Sequence, residues 1–200
     1  MAGIANKISF LGVLAISCGA AKVPPRVSAP NETAPASAVS RFFPLVDGTQ
    51  WAYEAEEEGT GNKGIFVTRA RSAGGARYSL TTGQRSHSVE LRPEGLVKVE
   101  TGTYLLRAPL SVGAEWPGDG GATIRVGAID TMVDVPAGQF VGCLDTLEEA
   151  REGSAVLRRI TTTYCPDVGI VSLHVEAWEG GKHAGERAVL RSFGKPVTLQ

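Results

Sequence analysis

Few side chains in this 200-residue chain stand at spacings that could do chemistry. The histidines are His87, His174 and His183, and none has the close spacing that brings zinc ligands together, so no metal site is expected. Hydrogen bonding on a sheet surface is the expected role of His174, and loop exposure that of His183. No Gly-x-Ser-x-Gly elbow, Walker lysine or Ser-x-x-Lys pair offers an activated nucleophile. Glu148, Glu149 and Glu152 crowd one stretch, but a carboxylate run without a cleft is a solvated face rather than an acid/base pair. The run Gly59-Thr60-Gly61-Asn62-Lys63-Gly64 fits G-x-G-x-x-G in letters only. It follows Glu56-Glu57-Glu58 and leads into Ile65-Phe66-Val67-Thr68, a strand pattern, whereas a dinucleotide fingerprint must open a helix whose amino end holds the pyrophosphate. A turn is expected there, and no cofactor. Trp51, Trp116 and Trp178 with Tyr53, Tyr78, Tyr104 and Tyr164 could line a sugar- or lipid-binding face, although core packing is the commoner use of such residues. The chain therefore reads as not an enzyme.

Cysteine is the residue type with a chemical message. Lys7 precedes an apolar run from Ile8 to Ile16, followed by Ser17 and Cys18. A helix of those nine apolar residues is about 14 Å long, less than half of a ~30 Å hydrocarbon core, so it suits a cleaved leader and not a span. Leu14-Ala15-Ile16-Ser17 before Cys18 resembles a bacterial lipobox, with the departure that Ala15 stands where leucine is usual. The resemblance implies that the Cys18 thiol is joined to diacylglycerol, that residues 1–17 are removed and that the new amino group is acylated. Each buried CH₂ of such chains contributes about 0.8 kcal/mol, and two or three chains make attachment stable. The alternative is an ordinary secretory signal cut after Ala20 or Ala21, which would leave Cys18 without a purpose. Gly19, in place of the aspartate that often marks inner-membrane retention, points to the outer membrane.

Export would place Cys143 and Cys165 in an oxidising compartment. With Cys18 otherwise occupied, these two make one pair, and the alternative is two reduced core thiols. Closing a loop of that length contributes roughly 3 kcal/mol in the chain-entropy model. No Cys-x-x-Cys redox motif is present.

Between leader and domain, Gly19 to Ser40 holds six alanines, four prolines and three serines, so residues 18–40 read as a lipidated cysteine and a flexible linker unable to bury a core. Residues 41–200 read as one β domain. Strands are expected near 50–57, 64–72, 76–82, 86–92, 95–101, 103–107, 122–135, 140–149, 155–164, 169–178 and 187–193, separated by glycine-rich turns. Asp145 to Glu152 also has enough helix formers for a helical turn. In Val171-Ser172-Leu173-His174-Val175-Glu176-Ala177 the odd positions are apolar and line a core. In Gly95 to Glu100, Val97 and Val99 take one face while Lys98 and Glu100 take the other. The fold class is all-β: an antiparallel meander of about ten strands curled into a barrel, half-barrel or sandwich.

Phe43-Pro44-Leu45 with Gly48, Trp51 and Tyr53, then Val135-Pro136-Ala137-Gly138-Gln139-Phe140 leading to Cys143, then Tyr164-Cys165-Pro166-Asp167-Val168-Gly169 resemble motifs of uncharacterised bacterial exported β domains. The resemblance covers most of 42–178 and rests on turn and packing residues, so it implies a fold and no catalytic residue. Some such domains are similar in shape to half-barrels that carry acyl chains.

Composition narrows the partners. The chain is 42% hydrophobic with 20 basic and 21 acidic residues, and losing Lys7 with the leader leaves 19 against 21, a mature charge of −2. On that balance neither a polyanion nor an anionic lipid surface is an obvious partner, so no nucleic-acid partner is expected. The membrane is the expected partner, through the lipid on Cys18. The chain thus reads as a bacterial cell-envelope lipoprotein with a non-enzymatic binding or structural module. The competing readings are a periplasmic carrier of a hydrophobic ligand, which needs an apolar cavity, and an enzyme without a recognisable motif, which needs converging carboxylates or histidines.

Overall fold

The computed structural model describes residues 36–194. The leader and Cys18 lie outside the described residues. Helix α1 (Ala36–Phe42) is followed by β1 (Gln50–Glu57), β2 (Lys63–Gly74), β3 (Arg77–Thr82), β4 (Arg85–Arg92), β5 (Gly95–Lys98) and β6 (Tyr104–Arg107). Then come β7 (Glu115–Pro117), a short 3-10 turn over Asp119–Gly121, β8 (Thr123–Val135), β9 (Gly138–Glu152), β10 (Ala155–Cys165), β11 (Gly169–Glu179) and β12 (Lys182–Gly194). All neighbours pair antiparallel in the order β6-β5-β4-β3-β2-β1-β12-β11-β10-β9-β8-β7, and this twelve-stranded sheet curls into a nearly closed barrel. Among the described residues no helix is long and apolar enough to cross a membrane.

The expected all-β meander is therefore present, as a barrel and with more strands than the alternation suggests. The additional strand, β7, is three residues long and ends on Pro117, too short to show a period. Asp145 to Glu152 is strand throughout, because β9 pairs with β8 on one side and β10 on the other. β12 starts at Lys182, so Gly180-Gly181 makes a tight hairpin and His183 lies on a strand opposite Trp178 rather than in a loop. The linker reading also needs correction at its end: α1 begins at Ala36, and Val39 is fully buried. Val39, with Phe42 and Phe43 packed on the same core, seats a short helix in an alanine- and serine-rich stretch.

The barrel interior is packed at one end and open at the other. Along β1 the inward side chains Trp51, Tyr53 and Ala55 are buried and Glu57 is exposed. Along β12 the series from Leu190 through Ala188 to Glu186 and Ala184 makes the same passage. At the packed end Phe43, the residue after α1, lies 5.9 Å from the Trp51 ring and 6.4 Å from the Tyr164 ring. The Trp51 indole N–H donates to the Val168 carbonyl at 2.6 Å, and the Tyr53 hydroxyl donates to the Ile170 carbonyl at 3.0 Å. Burial pushes the Tyr53 phenol well above its usual range, so it stays a neutral donor. Gly169 is required here: its φ is +103°, and a Cβ would sit 3.4 Å from the Trp51 indole nitrogen.

The same corner is tied covalently and by the backbone. Cys143 and Cys165 face each other on β9 and β10 as a disulfide, Cα atoms 4.2 Å apart and both fully buried, so the expected pairing is present. The Asp167 N–H donates to the Arg41 carbonyl at 2.7 Å, fastening α1 to the β10–β11 turn. Trp51→Phe deletes the indole donor and leaves a buried carbonyl without it. The expected cost is about 1–3 kcal/mol, read as a lower urea midpoint with an unchanged slope. A midpoint equal to that of the unaltered chain would remove this bond from the account of stability.

Candidate functional site

The barrel is completed at a seam where β6 and β7 meet without a ladder. The Trp116 indole N–H crosses it to the Tyr104 carbonyl at 2.9 Å. Below it, the Asp119 carboxylate accepts from the Lys98 ammonium and the Thr103 hydroxyl. Partial burial raises the Asp119 pKa, but the bonds from Lys98, Thr103 and Thr101 overcome this and hold it at about 2. Gly95 admits the tight β5–β6 crossing, because a Cβ there would lie 2.1 Å from the Leu106 carbonyl oxygen.

Against this seam, on the inner face, lies a hollow of about 270 Å³. Cross-strand register explains its lining. Leu173, Thr162 and Thr146 stand opposite one another on β11, β10 and β9, and Val175, Ile160, Glu148 and Ile124 form the next row out. Along β10 the inward series runs from buried Tyr164 and Thr162 to half-buried Ile160 and Arg158. The hollow thus has a floor of hydroxyls, walls of Leu105, Ile124, Ile160 and Leu173, and a charged rim. Burial pushes the Tyr164 hydroxyl far up, with the Glu148 charge adding to the effect and hydrogen bonds with Thr146 and Thr162 opposing it.

The rim is two ion pairs. Arg158 Nη2 donates to Glu148 Oε1 at 2.5 Å, and Lys98 pairs with Asp119. Arg158 Nε is buried with no hydrogen-bond partner. His87 faces inward next to Leu80, and burial, then the Lys98 charge, lowers its pKa, with Glu100 opposing. On β5, then, it is the Lys98 side that faces the interior, since Lys98 pairs with buried Val89; Val97 is fully buried on the other face.

The outer face carries a separate polar ladder. Glu149 accepts from Arg151 at 2.7 Å and from Arg159 at 2.9 Å, and bonding to Arg151 leads the causes that lower its pKa. Arg159 also lies 3.8 Å from Glu176 and stacks 5.6 Å from the Trp178 ring, which is 5.1 Å from the His183 ring. His174 bonds Glu58 at 2.9 Å, the sheet-surface role its sequence position implied. These exposed pairs are consistent with a solvated surface and contribute little each.

Other sequence-derived candidates resolve by the same geometry. Residues 58–62 form the β1–β2 turn, so the G-x-G-x-x-G run opens a strand. Trp51 and Trp116 are core residues; Trp178 lies on the outer surface. Of the three glutamates, Glu148 faces the hollow and Glu149 the outer ladder, while Glu152 is exposed at the end of β9. Among the described residues no group of three or more His, Cys, Asp or Glu side chains is placed to hold a metal ion. Lys98, Asp119 and Arg158 were not singled out by the sequence; the only signal available was Arg158 in phase with Ile160, Thr162 and Tyr164.

No family model matches the chain, and no curated protein matches it. Solved structures similar to the chain include two from bacteria. One is a presumed exported protein with a YmcC-like fold from Bacteroides fragilis, 15% identical, covering 77% of this chain and 99% of its own, with a TM-score of 0.46. The other is a presumed lipoprotein from Parabacteroides distasonis, 13% identical, covering 76% of this chain and 98% of its own, with a TM-score of 0.42.

The seam gives a pH-dependent prediction. A carboxyl held at about 2 in the fold against an ordinary 3.8 stabilises the folded state above that ordinary value and ceases to do so as pH falls toward 2. Asp119→Asn should therefore flatten the dependence of the urea midpoint on pH across that window, relative to the unaltered chain. Identical profiles would show that the seam carboxylate contributes no acid sensitivity.

Proposed function

We propose that this chain is a lipid-anchored protein of the bacterial cell envelope, held through Cys18, whose barrel is a non-enzymatic binding module. The observation that carries the anchor is the position of Cys18, directly behind a small residue at the end of an apolar run too short to span and ahead of a proline-rich tether. The outer membrane is the proposed site, on the strength of Gly19. The hollow supports binding: apolar walls with a few convergent polar groups are the usual composition of a small-molecule site. Its carboxylates and cations are paired with one another, which favours holding a molecule over transforming it.

A carrier of long acyl chains is less well supported. The packed end is filled by Trp51, Phe43, Leu96, Leu106 and Leu190, and 270 Å³ falls below the ~300–1,000 Å³ of typical ligand pockets.

Expression of the full chain in a lipoprotein-competent bacterium tests the anchor. The mature protein should partition into the detergent phase and carry the mass of its acyl chains, while Cys18→Ala should move to the aqueous phase. Unchanged partition of the variant would refute lipid attachment at this residue.

A further inference from the structure

β8 and β9 outrun the barrel. Leu144 is the first residue of β9 that pairs with β10, and β7 pairs only with Thr123, Ile124 and Arg125 of β8, so residues 128–143 continue past the packed end as a two-stranded arm. The arm folds onto that end. Its Ala137 N–H donates to the Leu190 carbonyl of β12 at 3.0 Å, and the Phe140 ring meets the Phe193 ring edge-on at 6.2 Å. Alternation gives the arm two unlike faces. Val133, Val135 and Phe140 pack on the core, whereas Met132 and Val141 are 67% and 66% exposed. Register sets Met132 against the bulge at Val141 and Gly142, so the two side chains form one apolar patch, and exposed Ile129 lies further along the same strand.

We propose that this outer face of the arm, through Met132 and Val141, rests in the surface of a bilayer with electrically neutral headgroups, so that the barrel lies packed end down on the membrane. The proposal rests on the reading of Cys18 as the anchor and adds which surface of the barrel the membrane meets.

The place where the tether ends identifies the occupant. The Arg41 carbonyl of α1 accepts from Asp167 in the β10–β11 turn, and Pro166 of that same turn is the atom group nearest to a Cβ built at Gly142 of the arm, at 3.9 Å. The arm and the beginning of the described chain therefore meet at one turn. Only residues 19–35 separate Cys18 from Ala36, and a flexible chain of that length has an end-to-end distance of roughly 23 Å. An anchored Cys18 thus keeps the packed end next to lipid. Two or three apolar side chains are too few to hold a free protein on a bilayer. A short tether makes their contact intramolecular, at an effective concentration in the millimolar range, where a weak patch suffices.

Charge selects the headgroup. Residues 127–142 include Asp130 and Asp134 and no lysine or arginine. Anionic lipid surfaces recruit basic side chains and would repel these carboxylates, whereas neutral headgroups do neither. A second copy of the chain is disfavoured on this face, because two arms placed together would oppose like charges. Strand addition along β8 is hindered as well, since its register shifts three times and Asp130 sits at a φ of +55°.

The test couples the thiol of Cys18, in the mature chain that begins there, to a maleimide-headgroup lipid in phosphatidylcholine vesicles. With Cys143 and Cys165 bridged, that thiol is the only free one. Met132→Trp is compared with Leu157→Trp, an exposed position near the β9–β10 hairpin at the open end, and the unaltered chain supplies the tryptophan background. Brominated acyl chains should quench the added Met132→Trp emission at least twofold and leave Leu157→Trp unchanged. Adding Val141→Asp to Met132→Trp should abolish most of the quenching, and a phosphatidylglycerol matrix should weaken it at least twofold unless Asp130→Asn and Asp134→Asn are also present. Absence of quenching at Met132→Trp, or equal quenching at Leu157→Trp, would overturn the membrane contact. A blue shift of Met132→Trp that follows protein concentration without lipid would assign the face to a second copy and overturn it too. Undiminished quenching in phosphatidylglycerol would overturn the neutral-headgroup class. Because the synthetic lipid replaces any natural one, none of these results depends on whether the cell acylates Cys18, which detergent partition decides separately.

Discussion

The bond from the Trp51 indole to the Val168 carbonyl joins parts of the chain 117 residues apart, and the order of the packed end depends on it. It brings the first strand against the turn between β10 and β11. The same turn follows the Cys143–Cys165 bridge and receives α1 through Asp167 and Arg41. A covalent link, a buried aromatic cluster and a backbone contact therefore converge on one short segment. With that corner filled, the opposite end of the same strands is left to diverge, because a curled sheet with fewer large inward side chains encloses space it cannot fill.

Much of this architecture is legible as alternation. The odd positions of Val171 to Ala177 do line the interior, and the glycine-rich separators do mark hairpins, because a sheet with one buried face imposes a two-residue period. The exceptions have physical causes. β5 presents Lys98 inward, since its neighbour across the seam is a carboxylate, and a partnered charge can occupy an inner face that composition alone would assign to water. α1 escapes notice because seven residues with only Val39 and Phe42 as larger apolar side chains carry no helical period, and its placement is decided by Val39, and by Phe43 just after it, meeting the core.

The hollow was harder to see for a different reason. Its lining comes from β5, β6, the 3-10 turn and β8 to β11, so no local window of sequence contains it. Register does: once Glu148 pairs with Ile160 and Ile124, and Thr162 with Thr146 and Leu173, the inner rows follow without further assumption. Cys143 and Cys165 are legible in the sequence because oxidative pairing restricts two residues to one outcome, whereas the carboxylates along β9 divide between two faces that look alike in sequence.

The order of strands also bears on when the protein can become itself. β1 is flanked by β2, which follows it at once, and by β12, the last strand described. A chain made amino end first therefore presents one side of β1 bare until Lys182–Gly194 has been made. Until then that bare edge can recruit a wrong strand, from this chain or a neighbouring copy. Completion of the sheet waits for the last strand described, so this border is the one along which a wrong pairing has longest to form.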